Sequence, residues 1–285
     1  MEHIRDAISR AREKQSQARA TTPSRLAPRR AAPQAAPAAA PAAAPAAPAA
    51  RRTGGDPEFA PIECDFSGFS KNRIISNEQD PVLNAYRVLR TRLLQKMQAH
   101  NWRTVAVVAP NSGAGKTVTS INLSIAIASK TGMRPTLCDL DFYRPSVARY
   151  LGLKGFPSVL DFFEGKKELD EVTVRPNLPE LNLMPNERVT RRGAEYLTGD
   201  RVELLMDTAL NDFGSSIIVF DMPPLLGCDD SLAFLPKVDC VLLIAASGVT
   251  RSSELKEASR ILAKANVAGT VLNRAPATFM PNQYY

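Results

Sequence analysis

From residue 82 onward the apolar positions change rhythm repeatedly, and each change marks an element. Val82, Leu83, Tyr86, Leu89, Leu93, Leu94 and Met97 recur at three- and four-residue spacing, which predicts an amphipathic helix over 82–99. Thr104 to Ala109 is an unbroken run of small and β-branched residues and predicts a strand; Thr117 to Ser129 reads as a helix and Thr136 to Asp139 as a second strand. A weaker strand follows at Leu181–Met184, then a helix near Val202–Leu210 and strands at Ile217–Phe220 and Cys240–Ala245. The series closes with a helix over Ser252–Ala265 and a strand at Gly269–Leu272. Strands that are apolar without alternation must be covered on both faces, so the expected fold class is α/β, a mostly parallel sheet with helices on both sides. Such sheets bind ligands at the carboxyl ends of their strands.

The first fifth of the chain lacks this pattern. Ile4, Ala7, Ile8 and Ala11 give a short helix with a thin apolar stripe inside a basic segment, 1–25. Leu26 to Arg52 is mostly Ala and Pro, and its repeated prolines exclude helix interiors, so 26–57 is expected to be a disordered, extended linker. A folded domain over 58–275 and a short tail over 276–285 complete the expected organisation. Charge follows the same division: residues 1–55 hold ten Lys/Arg against three Asp/Glu, whereas the remaining 230 hold 26 of each. The basic pI thus belongs to the arm, and a neutral folded part argues against a nucleic-acid groove; no nucleic-acid partner is expected.

Cys64, Cys138, Cys228 and Cys240 lack the paired spacing of a zinc site or redox dithiol. With His3 and His100 alone, a histidine metal centre or a Ser-His-Asp arrangement has no material. No run of about 18 apolar residues occurs, and the amino terminus has no apolar signal stretch, so the expected location is cytoplasmic.

Three polar motifs interrupt the apolar elements where strands end. Pro110-Asn111-Ser112-Gly113-Ala114-Gly115-Lys116-Thr117 lies between a strand and a helix, the context of a phosphate-binding loop. Two glycines let backbone N–H groups turn toward phosphate oxygens, and the helix start adds its positive end. Ser112, Gly113, Ala114, Gly115, Lys116, Thr117 and Val118 are therefore the expected nucleotide cradle, with Lys116 on the β and γ phosphates and Thr117 on Mg²⁺. The usual first glycine is replaced by Pro110. Asp139-Leu140-Asp141-Phe142-Tyr143-Arg144-Pro145 follows the second strand, placing carboxylates at the same sheet edge. The third motif, Ile217-Ile218-Val219-Phe220-Asp221-Met222-Pro223-Pro224, is an apolar strand ending in a lone Asp suited to holding Mg²⁺ through water.

These motifs resemble the bacterial tyrosine kinases of capsule and exopolysaccharide synthesis over about residues 80–275. The family's modified Walker A appears as Ser112 to Thr117 with Asn122-Leu123, its Walker A′ as Asp139 to Pro145, and its Walker B as Ile217 to Pro224. Ser112, Tyr143 and Met222 replace the family's Pro, Arg and Thr. The resemblance implies a P-loop NTPase-like fold and the cofactors ATP and Mg²⁺. It further implies that Lys116, Asp139 and Asp141 act in catalysis, that Thr117, Asp139 and Asp221 hold the metal, and that Asn273 meets the adenine. Tyr284 and Tyr285, closing the chain, are the implied autophosphorylation sites. The implied activator is an inner-membrane polysaccharide co-polymerase or chain-length regulator, with the enzyme peripheral at the inner face of the plasma membrane. An oligomerisation motif of the family, E-x-x-R-x-x-R, survives as Asn84, Arg87 and Arg90, so a homo-oligomer is implied with its Glu lost. Two alternatives stay open at this stage: a partitioning-type ATPase switch, disfavoured by Asn111 where those proteins carry a signature lysine, and a nucleotide-binding scaffold without kinase activity.

Overall fold

A computed structural model describes residues 58–275, residue 78 excepted. The basic segment, the Ala/Pro linker and the tail with Tyr284 and Tyr285 lie outside the described residues. Eight strands form one sheet: β1 (Ala60–Ile62), β2 (Thr104–Val108), β3 (Pro135–Asp139), β4 (Val174–Pro176), β5 (Asn182–Met184), β6 (Ile217–Asp221), β7 (Cys240–Ala246) and β8 (Val267–Asn273). Their spatial order is β1-β4-β5-β3-β6-β2-β7-β8, and all neighbours are parallel except β4 and β5. β1 and β4 therefore run against the other six, which form the parallel sheet expected from unalternating apolar runs.

The helices are α1 (Phe69–Asn72), α2 (Pro81–Ala99), α3 (Lys116–Ala128), α4 (Val147–Leu151), α5 (Val159–Phe163), α6 (Gly193–Thr198), α7 (Arg201–Asp207), α8 (Asp230–Phe234) and α9 (Ser252–Ile261). Successive strand residues feed opposite cores because strand side chains alternate. Val105, Val107, Leu137, Val219, Leu242 and Ile244 pack with Leu83 and Met97 of α2 and Ile121 and Ile125 of α3. Ala106, Val108, Cys138, Phe220, Val241 and Leu243 pack on the other face with Val202 and Leu205 of α7, Phe234 of α8 and Ala258 of α9.

The long elements lie where their periodicity placed them. The helix expected near 202–210 ends at Asp207 and continues as a wide π-turn, Thr208–Asp212. The last long helix tightens into a 3₁₀ turn, Leu262–Lys264. The short pieces, β1, β4 and the helices of four to six residues between β3 and β7, had no counterpart in the sequence reading.

Asn122 shows how a motif residue serves the fold. Fully buried on α3, its side chain accepts the Ile75 N–H at 2.9 Å and donates to the Arg73 carbonyl at 2.8 Å. It thereby gives hydrogen-bond partners to the irregular segment that leads into α2. Replacing Asn122 with Ala leaves the buried Ile75 N–H unpaired and the Arg73 carbonyl to solvent, at a cost of about 2–3 kcal/mol. The expected drop in melting temperature is on the order of 5–10 °C by calorimetry; a loss of under a degree would show that water replaces the amide.

Candidate nucleotide and metal site

β2, β3 and β6 are neighbours in the sheet, so the three segments following them converge at one edge. β2 runs into the loop 109–115, which makes its sharp turns at Gly113 (φ +84°) and Gly115 (φ +91°), a conformation that a Cβ disfavours. The turn is thus made without a glycine at 110. Pro110 instead serves through its carbonyl, which accepts the Leu226 N–H at 3.0 Å, while the Ala109 carbonyl accepts the Leu225 N–H at 2.9 Å. The segment after β6 holds the loop entry in register with β2. α3 begins at Lys116, so its first-turn N–H groups have no intrahelical acceptor and face the loop with the helix's positive end.

β3 and β6 end on the paired residues Asp139 and Asp221, both without solvent exposure. Asp221 accepts the Thr117 hydroxyl at 2.7 Å and the Ser120 hydroxyl at 3.0 Å. Thr117 also lies 3.1 Å from the Ser146 hydroxyl. Asp139 accepts three backbone N–H groups, from Ser146 and Val147 at 3.0 Å each and from Asp141 at 3.2 Å. Asp141 is 4% exposed, turns its own loop by accepting the Arg144 N–H at 2.9 Å, and meets the buried Lys116 ammonium at 3.6 Å.

Lys116 thus faces Asp141 directly and opposes the charge of Asp221. Burial, then the neighbouring Asp221, pushes the Asp139 carboxyl well above the usual carboxylate range. Burial also raises Asp221, against the opposing pull of Lys116 and the Thr117 hydroxyl. A site this rich in buried negative charge suits a divalent cation. Among the described residues no group of three His, Cys, Asp or Glu side chains could hold a metal. Mg²⁺ commonly takes one or two carboxylates and completes its shell with water and phosphate oxygens, and Thr117 and Asp221 fit that requirement. The Gly113 and Gly115 turns, the start of α3 and Lys116 fit a nucleotide polyphosphate.

The structure brings Lys116, Thr117, Asp139, Asp141 and Asp221 together; Ser112, Gly113, Ala114 and Gly115 form the loop that leads into Lys116, whereas Val118 packs against the first core. Asn273, at the end of β8, directs its amide at the Ala114 carbonyl, 2.9 Å away, and braces the loop from outside. Ser120 and Ser146 were missed in the sequence. Ser120 was findable, because three residues from Thr117 on a helix puts it on the same face. Ser146 was not, since its approach to Thr117 depends on how the 139–146 turn folds back.

Of the departures from the resembled pattern, burial accounts for Met222, and nothing in the structure explains Ser112 or Tyr143. Met222 is wholly buried in the second core, an apolar replacement. Tyr143 is 45% exposed beside Asp141 and in contact with solvent. Of the oligomerisation motif, Arg90 donates to the Ala126 carbonyl at 2.8 Å in the last turn of α3, whereas Asn84 is exposed and Arg87 half-buried. Two surface cavities of about 320 and 460 Å³ lie at the opposite, amino edge of the sheet, lined by Ile75, Leu83, Ile125 and Leu178 and by Gly132, Arg134 and Glu180; neither touches the loop.

No family model matches the chain. Among curated proteins it is 30% identical over 207 residues to a putative tyrosine-protein kinase, EpsB, of Ralstonia solanacearum, which covers 72% of this chain and 27% of EpsB. It is 23% identical to the tyrosine-protein kinase YwqD of Bacillus subtilis over 207 residues, covering 71% of this chain and 86% of YwqD. The chain thus spans about a quarter of EpsB and most of YwqD. Among solved structures, the kinase domain of the Escherichia coli tyrosine kinase ETK superposes with a TM-score of 0.65 at 24% identity, over 73% of this chain and 83% of that one. This likeness confirms the P-loop NTPase-like fold. In sequence this chain is similar to proteins named as bacterial tyrosine-protein kinases, and in fold to a kinase domain of one of them.

Proposed function

We propose that this chain is a Mg·ATP-dependent protein tyrosine autokinase. The observation that carries the reading is the buried constellation at one sheet edge, Lys116 against Asp141 and Thr117 against Asp221. Bound Mg·ATP supplies the γ-phosphoryl group and the charge that screens it. Lys116 and the first-turn N–H groups of α3 offset negative charge on the phosphate oxygens. Thr117 and Asp221 hold the cation.

The two aspartates of the second motif divide the remaining work. Asp139 is engaged by three backbone N–H groups and shut off from solvent, so it orders the turn that carries Asp141 and would favour a cation held by Thr117 and Asp221. Asp141 is next to the exposed Tyr143 and Arg144, where an acceptor tyrosine can approach, and it takes the proton from that hydroxyl. The transfer balances: the acceptor oxygen bonds to the γ-phosphorus, the bond to the bridging oxygen breaks, ADP leaves, and the proton passes to Asp141. A tyrosine of pKa about 10 is mostly protonated at neutral pH, so this base is needed.

The acceptors in this reading are Tyr284 and Tyr285, and the activity regulates synthesis and export of an extracellular polysaccharide. The activating partner is a membrane polysaccharide co-polymerase, toward which the basic arm and Ala/Pro linker tether the domain at the inner membrane face. Family likeness supports these finer assignments. Among the described residues no helix is long and apolar enough to cross a membrane.

Purified protein incubated with Mg·ATP, with and without the cytoplasmic tail of a candidate co-polymerase, should acquire phosphotyrosine. Phosphate release without any phosphotyrosine would replace the kinase reading with that of an ATPase switch. Changing Tyr284 and Tyr285 together to Phe should remove at least nine-tenths of the label, on the order of a tenfold loss, because Asp141 then lacks its acceptor hydroxyl. Undiminished label, mapped by mass spectrometry, would move the acceptor elsewhere.

A further inference from the structure

Asn273 is tied down at three points. Its side-chain nitrogen donates to the Ala114 carbonyl at 2.9 Å, and its side-chain oxygen accepts the Arg274 N–H at 2.8 Å. Its backbone carbonyl accepts the Ser247 N–H at 2.9 Å, continuing the ladder in which Asn273 faces Ala246 of β7. The amide is therefore fixed by the sheet and aimed at the loop. The same placement fills the space beside the loop: a Cβ placed on Gly115 would collide with the Asn273 amide nitrogen. Glycine is required at 115 by its φ of +91° and also by the closeness of this side chain.

The Ala114 carbonyl and the Gly115 N–H belong to one trans peptide plane, in which they point in opposite directions. Drawing the carbonyl toward β8 turns the N–H away from β8. In a phosphate-binding loop the backbone N–H groups must converge on the phosphate oxygens. We infer that Asn273 is a positioning residue of the phosphate loop, holding the Ala114–Gly115 peptide so that the Gly115 N–H faces the polyphosphate, in place of the adenine contact that the family resemblance implies. This inference rests on the nucleotide-site reading. It makes a distinct claim about what Asn273 recognises: the loop, and through it the phosphate chain, whatever base is attached.

The test compares full-length wild type with Asn273→Ala and Asn273→Asp. The Asp variant keeps the shape of the side chain but cannot donate to the carbonyl, so it serves should the Ala variant fold poorly. Mg·ATP binding is read by calorimetry, and Mg·tripolyphosphate, which has neither base nor ribose, by its displacement of a fluorescent ATP analogue. The Ala variant should bind the two probes more weakly by a common factor of about five to ten, the worth of one neutral hydrogen bond, and the Asp variant by at least as much because its charge also opposes the Ala114 carbonyl and the phosphates. Weakened ATP with undiminished tripolyphosphate binding would assign Asn273 to the base and overturn the inference, as would unchanged affinity for both. Failure of the wild type to bind Mg·ATP would overturn the nucleotide-site reading itself.

Discussion

Lys116→Met is expected to silence phosphotyrosine formation, lowering turnover by about 10²–10⁴-fold, the range for removing a preorganised charge from a water-excluded phosphoryl-transfer site. The side chain is 8% exposed and its ammonium lies 3.6 Å from Asp141, so the fold itself fixes its position. Met keeps much of the stem's volume and removes only the charge. Two consequences then separate. Phosphate oxygens lose their nearest fixed cation, so Mg·ATP affinity should fall as well as turnover. Asp141 and Asp221 lose the cation that opposes them, so the variant should also melt below wild type without nucleotide. A labelled-ATP autophosphorylation assay and a melting curve on the same preparation read both. Retained label at more than a tenth of the wild-type rate would mean that phosphate charge is neutralised by other groups.

The elements that carry this site were legible because their sequence signals are local. β2, β3, β6 and β7 are five to seven residues long and wholly buried, so an apolar run specifies each one. Asp139 and Asp221 follow directly as the polar residues that end two of them. β1 and β4 are three residues each and gain stability by pairing with each other, a contact over a hundred residues apart that no local pattern encodes. α4, α5, α6 and α8 span one or two turns, too short for a helical period to register. Asn273 illustrates a further kind of concealment. Its position at the end of an apolar strand was visible, but the direction of its amide depends on how β8 sits beside β7 and the loop. Arg90, which the family resemblance implies in assembly, also has an intramolecular acceptor because α2 packs on α3, a contact that only the tertiary structure reveals.

Asp221→Asn should change sign with conditions, which makes it the sharper probe of the metal site. In the nucleotide-free protein Asp221 is fully buried, its charge is disfavoured by that burial and by Asp141, and only Lys116 and two hydroxyls compensate. Asn retains the hydrogen bonds: its oxygen accepts from Ser120, and its NH₂ donates to Thr117, whose own proton can turn to Ser146. Removing an incompletely compensated buried charge while keeping its partners should stabilise the protein by about 1–2 kcal/mol. That corresponds to a melting temperature higher by roughly 2–8 °C. With Mg·ATP the order should reverse. A ligand at a hundred times its dissociation constant adds about 2.7 kcal/mol to the wild type, more than the variant's advantage, and a variant that holds the cation poorly gains little of it. The crossover is the diagnostic outcome. A variant that melts below wild type without nucleotide would show that the carboxylate is already satisfied by Lys116, Thr117 and Ser120. A variant that Mg·ATP stabilises as much as wild type would remove Asp221 from the metal site and leave Thr117 with Asp139 or Asp141 to hold the cation.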